Sequence, residues 1–324
     1  MGRFLLRRAG YAVLLVWLVV TLTFGLLELA PGDASLHFVD PDLPAARIDI
    51  LRAQWGLDQP VALRYLQLLG NLARGELGES LVHARPVRAL LLEALPPTLQ
   101  LSGLVLLLSF GLGVPLGVWQ AARRGSRREH AAGLLLLALY AMPEFWLGML
   151  LIMALSGGLA WFPSSGLVAW DHANMGWVEG TGDRLLHLVL PTLTLLLPAL
   201  AWVARHQRAA MLDVLGSDYV RTARALGLSA PQVLFRHALP SALVPILTLA
   251  GVSLPALISG SVVVETVFAW PGMGRLMVQA ILGRDSPVIV ACFLFYAVLV
   301  VLGSLAADLG AAWLDPRLRD GGRR

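Results

Sequence analysis

The chain contains no lysine; all 25 of its basic residues are arginine. A phosphate-binding P-loop needs a lysine to reach the terminal phosphates, so this chain carries no such nucleotide site. Cysteine is nearly absent too. The single thiol, Cys292, excludes an intrachain disulfide framework, and its place in an apolar run suits packing. The seven histidines (His37, His83, His130, His172, His187, His206 and His237) never recur three or four residues apart. No helix therefore offers a metal-binding pair. A G-x-S-x-G nucleophile elbow is missing as well. Charge is scarce, at 14% of residues, far below ordinary globular usage.

Apolar residues fill the space. They make up 57% of the sequence, and the mean hydropathy is +0.71. Six mainly apolar runs, at 9–30, 99–122, 131–161, 185–204, 242–264 and 288–309, are long enough to cross a hydrocarbon core about 30 Å thick. Buried helices of a large soluble protein would show polar faces, which these lack. The expected fold is an all-α polytopic membrane protein with six spans. The first run follows Arg3, Arg7 and Arg8. Its apolar core is too long for a signal peptide and no small-x-small site follows, so a retained anchor is expected.

Arginine placement predicts orientation. Sixteen of the 25 fall in the N-terminus, residues 123–128, residues 205–236 and the C-terminal tail, among five acids. The other nine lie among twelve acids on the opposite side. Arginine-rich short loops stay cytoplasmic, which puts both termini and the 205–236 loop inside. The net charge of +4 then reports topology, and no nucleic-acid partner is expected.

The loop between the fourth and fifth runs is the most informative segment. Ser217 and Asp218 offer an N-cap, and Tyr219, Ala223 and Leu226 recur at helical spacing with Arg221 and Arg224 turned elsewhere. Gly227 can take the left-handed conformation that ends a helix. Ser229 and Gln232 form a capping box, with Pro231 in the first turn. The pattern predicts two short helices hinged at Gly227, an elbow built to dock on another protein.

Residues 219–229 (YVRTARALGLS) and 235–242 (FRHALPSA) resemble the cytoplasmic coupling loop of ABC importer permeases, of the dipeptide and oligopeptide branch. Further resemblance lies in 29–34 (LAPGDA), 51–61 (LRAQWGLDQPV), Pro86, 95–99 (LPPTL), 142–149 (MPEFWLGM), 265–277 (ETVFAWPGMGRLM) and 314–319 (LDPRLR). These run nearly end to end, in order. Ala223 stands where the loop's usual second glutamate-like position falls. The resemblance implies a type I ABC importer permease fold in the inner membrane. Residues 1–30 would be the tail and first helix, 31–97 a periplasmic insert, 98–313 the ABC transmembrane type-1 core, and 314–324 a cytoplasmic tail. The coupling loop would span about 205–240. Its ATPase-coupling residues would be Asp218, Tyr219, Arg221, Thr222, Ala223, Arg224, Ala225, Gly227, Leu228, Ser229, Val233, Arg236 and His237. The implied partners are a second permease subunit, a C-type paralogue; two ATP-binding cassette subunits carrying ATP and magnesium; and a periplasmic or lipid-anchored binding protein. This chain would bind no cofactor and catalyse no covalent step. The implied mechanism is alternating access, with peptides as cargo, or a metal chelate or glutathione in relatives of the same layout.

The insert shows two helical patterns, one ending at Trp55-Gly56 and one from about Val61 to Arg74, suiting a partner-facing cap. Pro115, Pro143, Pro191, Pro198, Pro245 and Pro255 lie in or beside the apolar runs with many small residues, a pattern of close packing, of kinked helices that rock, or both. Glu144 and Glu265 are candidate path residues, since a carboxylate at membrane depth is costly unless protonated, paired or facing a wet cavity. Glu265 opens an aromatic, Pro-Gly-containing segment that reads as a short re-entrant turn at the outer surface. Two other classes stay open. An ion-driven secondary transporter would use Glu144 or Glu265 but show inverted repeats. An intramembrane protease has Ser156, Ser253, Ser259 and His187 available, with no motif joining them.

Overall fold

The computed structural model describes residues 2–30, 58–259 and 261–314. Among them the regular elements are helices, with one isolated extended bridge between Glu79 and Pro86. In chain order the α-helices are α1 (Gly2–Leu29), α2 (Val61–Ala73), α3 (Val87–Ala122), α4 (Arg127–Ala141), α5 (Glu144–Leu151, extended by a π-helical stretch Ile152–Gly158), α6 (Trp177–Leu215), α7 (Asp218–Ala225), α8 (Ala230–Gln232), α9 (Leu239–Ser259), α10 (Val262–Val267), α11 (Met273–Leu282) and α12 (Ser286–Leu314), with a 3-10 turn at His172–Asn174. Five helices are long and apolar enough to cross a membrane, and six if the bent pair Arg127–Ala141 and Glu144–Gly158 counts as one. The helical pattern expected to end at Trp55-Gly56 lies outside the described residues; the second, at Val61, is α2.

Contacts divide the chain into two units. The first comprises Met1–Pro96 and Gly272–Val301. Val87, Leu90, Leu91 and Ala94 recur at helical spacing on α3 and close a core with Met273, Leu276 and Ala280 of α11 and Val288, Ile289, Ala291 and Cys292 of α12. Cys292 is fully enclosed there, in keeping with a packing role. Buried Asp285 caps this core: its carboxylate accepts from the Ser80 hydroxyl and, at 3.2 Å each, from the Leu81 and Val82 amides. Helix α2 is fastened to α1 by an Arg64–Glu28 ion pair of 2.7 Å and a Thr21–Tyr65 hydroxyl bond of 2.7 Å.

The second unit comprises Pro97–Pro271 and Leu302–Arg324. Its column is α6, whose 39 residues make a rod of about 58 Å at 1.5 Å per residue. That exceeds the hydrocarbon thickness, so α6 carries its regular backbone beyond the apolar zone, past Arg205 and Arg208, to the elbow. Pro191 and Pro198 lie inside it, as the proline pattern anticipates. Against α6 pack α4, α5 and α9. Gly117 of α3 allows the closest approach: a Cβ there would stand 2.5 Å from the Ala204 carbonyl oxygen and 2.7 Å from Gln207 Cβ.

Two expectations need correction. The third run is not one straight span, because α4 stops at Ala141 and the helix restarts at Glu144 after a bend of 103°. Pro143 lacks an N–H and forces Met142 into extended backbone (φ −72°, ψ 131°). The fifth run begins earlier than residue 242 and ends earlier than 264. Helix continues from Ala230 through a π-helical stretch, Val233–Ala238, into α9, which ends at Ser259; Val262–Val267 is separate.

Candidate functional site

The elbow forms for local reasons. Ser217 occupies the N-cap backbone conformation of α7 (φ −74°, ψ 155°), but its hydroxyl turns back to donate to the Val214 carbonyl at 2.6 Å. The helix closes through the Leu226 amide on the Thr222 carbonyl at 3.0 Å and the Gly227 amide on the Arg224 carbonyl at 3.0 Å. Gly227 then takes φ +84°, the left-handed cap anticipated from its position. The capping box also forms: Gln232 Oε1 accepts from the Ser229 amide at 3.0 Å and from its hydroxyl at 2.9 Å. The second arm differs from expectation. It is no short helix but the start of a continuous one, so the elbow joins α9 without a break in the helix.

Packing sorts the elbow's residues. Val220 and Ala223 of α7 and Val233 of the second arm are buried together, with Val214, Leu215 and Leu228 against them. The helical face expected to run through Tyr219, Ala223 and Leu226 is therefore split. Ala223 belongs to the elbow's own core, while Leu226 is 78% and Tyr219 47% exposed. Tyr219 acts as a strap, its hydroxyl donating to Ser241 Oγ at 3.0 Å. Arg221 pairs with Asp218 at 3.3 Å, both exposed, and Thr222 donates to the Asp218 carbonyl at 3.0 Å. Arg224, Ala225, Ser229 and Arg236 are exposed, His237 and Leu228 partly so. Phe235 is 59% exposed. The outer surface thus combines three arginines with Leu226 and Phe235.

The two candidate path carboxylates occupy different environments. Glu265 is fully buried and accepts from the Thr98 hydroxyl at 2.8 Å. Its carbonyl accepts from the Trp270 amide at 2.8 Å, and Trp270 Nε1 donates to the Pro97 carbonyl at 3.0 Å. The LPPTL and ETVFAW segments, far apart in sequence, thereby form one clasp. Phe268 and Trp270 are enclosed in it. Glu144 instead opens α5 with its side chain exposed, and its Oε2 accepts from Ser261 Oγ at 3.1 Å.

Asp183 makes one pairing that sequence spacing shows, with His187 four residues on, and one that it does not, with His172. Asp183 of α6 binds His172 Nδ1 at 2.7 Å, His187 Nδ1 at 3.0 Å and the Ala169 amide at 3.0 Å. This ties the 169–172 loop to α6, and among the described residues no cluster suits a metal ion. The histidines lie fifteen residues apart, a separation only folding bridges.

Residues 113–320 match the family described as binding-protein-dependent transport system inner membrane component. Residues 1–102 match its N-terminal counterpart, the membrane component's N-terminal region. The oligopeptide transport system permease protein AppB of Bacillus subtilis (strain 168) is 38% identical over 98% of this chain and 99% of its own length. The di/tripeptide transport system permease protein DppB of Pseudomonas aeruginosa (strain UCBPP-PA14) is 40% identical over 98% of each. In fold, the chain resembles a chain of the MetNI methionine ABC transporter in an inward-facing conformation. The TM-score is 0.56 at 20% identity, covering 70% of this chain and 97% of that one.

Proposed function

Because the chain belongs to the family of binding-protein-dependent transport system inner membrane components, we propose that it is a permease subunit importing peptides, as the names of its relatives suggest. It is a multi-pass membrane protein and a transporter subunit. In this reading a second permease chain, a C-type paralogue, supplies the other half of the path. Two separate ATPase subunits hold ATP and magnesium, and a periplasmic binding protein delivers cargo to the outer face. Both termini and the elbow face the cytoplasm, following the arginine asymmetry. Work is done by a conformational equilibrium that ligands bias at two faces, with no covalent chemistry in this chain.

The observation that carries the coupling role is the sorting of the elbow's residues. Its own core is closed by Val220, Ala223 and Val233, yet Leu226 and Phe235 stay exposed, as do Arg221, Arg224 and Arg236. Exposed apolar side chains and arginines on one elbow suit a groove with an apolar floor and an acidic rim. Continuity of the second arm with α9 would pass a push on the elbow directly into a membrane helix. The test is Leu226→Asp in the assembled complex, reading ATPase co-purification and cargo-stimulated ATP hydrolysis. A carboxylate in an acid-rimmed groove should remove most of both, at unchanged amounts of inserted permease. Full docking and full stimulation would refute the elbow as the coupling element.

A further inference from the structure

Pro143 imposes the break between α4 and α5. Gly148, one turn beyond Glu144, packs beside Thr194, eleven residues or about 16 Å along α6 before Arg205. Glu144 therefore lies within the apolar zone. Irregular backbone at that depth is tolerated only where it is enclosed by protein or lines a wet cavity. Glu144 is exposed, which selects the second case or a contact with another chain.

The electrostatics of the break are mixed: α4 ends there, while the first-turn amides of α5 begin at Glu144 and the Arg205 guanidinium lies over the Tyr140 ring. Helix α4 ends at Ala141, and Pro143 has no N–H to offer the carbonyl of Leu139. Among the described residues no backbone bond at the break returns to the carbonyls of Leu139, Tyr140 or Ala141, so these carbonyls are open to a further donor. The Glu144 carboxyl group follows three residues on. Among the described residues no cation pairs with it; Arg205 stands 5.3 Å from the Tyr140 ring centre and forms no ion pair there. Ser261 fixes the carboxylate's direction. Its oxygen accepts from the Val264 amide at 3.3 Å while its hydrogen goes to Glu144 Oε2 at 3.1 Å, leaving Oε1 free to accept.

We infer that this break, with Glu144 and Ser261 at its rim, is a way-station for the protonated amino group of a peptide in transit. The inference rests on the peptide-importer reading. An ammonium group offers three N–H donors, matching one carboxylate oxygen and the uncovered carbonyls of α4. It is also a positive charge that peptides share whatever their side chains, so the site would be blind to sequence. A guanidinium from the second permease chain has the same chemistry, and the test separates the two.

The complex is reconstituted in proteoliposomes, and ATP-driven uptake of trialanine and N-acetyl-trialanine is measured, each normalised to its occupancy of the binding protein. The ratio of trialanine to N-acetyl-trialanine uptake should fall about tenfold in Glu144→Gln, the scale of one lost charge-assisted bond. Ser261→Ala should lower the same ratio by less, and Glu144→Asp should restore part of it. An unchanged ratio in Glu144→Gln overturns the inference while leaving the importer reading intact. An equal fall for both peptides, with loss of the second permease chain on purification, also overturns it and assigns the carboxylate to an arginine of that chain. Absence of ATP-driven uptake of either peptide by the unaltered complex overturns both readings.

Discussion

Arg208 of α6 grips Glu129 of α4 through one carboxylate oxygen, with Nη2 at 2.7 Å and Nε at 3.0 Å. The other oxygen accepts from the Gly125 amide at 3.3 Å, and the Glu129 amide donates to Ser126 Oγ at 3.2 Å. The arginine-rich turn before α4 is thus moored to the helix that runs on into the elbow. Arg208→Lys keeps the charge but loses the two-nitrogen grip. It should lower the thermal midpoint of the purified protein by a few degrees, and Arg208→Ala by more. Equal midpoints in all three proteins would show that the mooring contributes nothing to stability.

Helix α3 supplies its own control for close packing. Gly117→Ala would press a methyl against the Ala204 carbonyl and Gln207, whereas a Cβ at Gly103 meets nothing within 4 Å. Overpacking of this kind costs about 1–3 kcal/mol. Gly117→Ala should therefore reduce the yield of folded protein and its midpoint, while Gly103→Ala should leave both alone. Equivalent behaviour of the two variants would argue that α3 and α6 do not approach this closely.

At Gly227 the constraint is conformational. Its φ is +84°, and a Cβ at this position would meet no atom within 4 Å. Only backbone strain opposes a substitution, by about 1 kcal/mol or more. Gly227→Val should insert normally but misdirect the elbow, and cargo-stimulated hydrolysis should drop well below the unaltered level. Ala223→Asp should act differently, since Ala223 is buried against Val233. A charge there opens the elbow's core, so protease sensitivity of the 217–238 loop should rise. Resistance equal to the unaltered protein would contradict that burial.

Orientation is checked by thiol labelling, for which buried Cys292 gives little background. With an impermeant reagent on intact cells, cysteines at Ser126 and Ser229 should stay unlabelled and one at Ala62 should react. Labelling at Ser229 from outside would reverse the orientation and remove the elbow from the ATPase side.

The apolar runs are legible in the sequence alone, because a hydrocarbon core demands some twenty residues without charge. So are the left-handed cap at Gly227 and the Ser229–Gln232 capping box, since each follows from chemistry within one or two turns. Which face of the elbow is free is not legible: Ala223 and Leu226 are alike in spacing and apolar character, and only the approach of Val233 across the hinge buries one and leaves the other. The clasp of Thr98 with Glu265, the Arg208–Glu129 mooring and the Ser261 hydroxyl on Glu144 join residues 79 to 167 positions apart. Such pairings have no periodicity to read. They exist because buried or membrane-depth carboxylates must find donors, and which donors come within 3 Å is decided by how the helices cross.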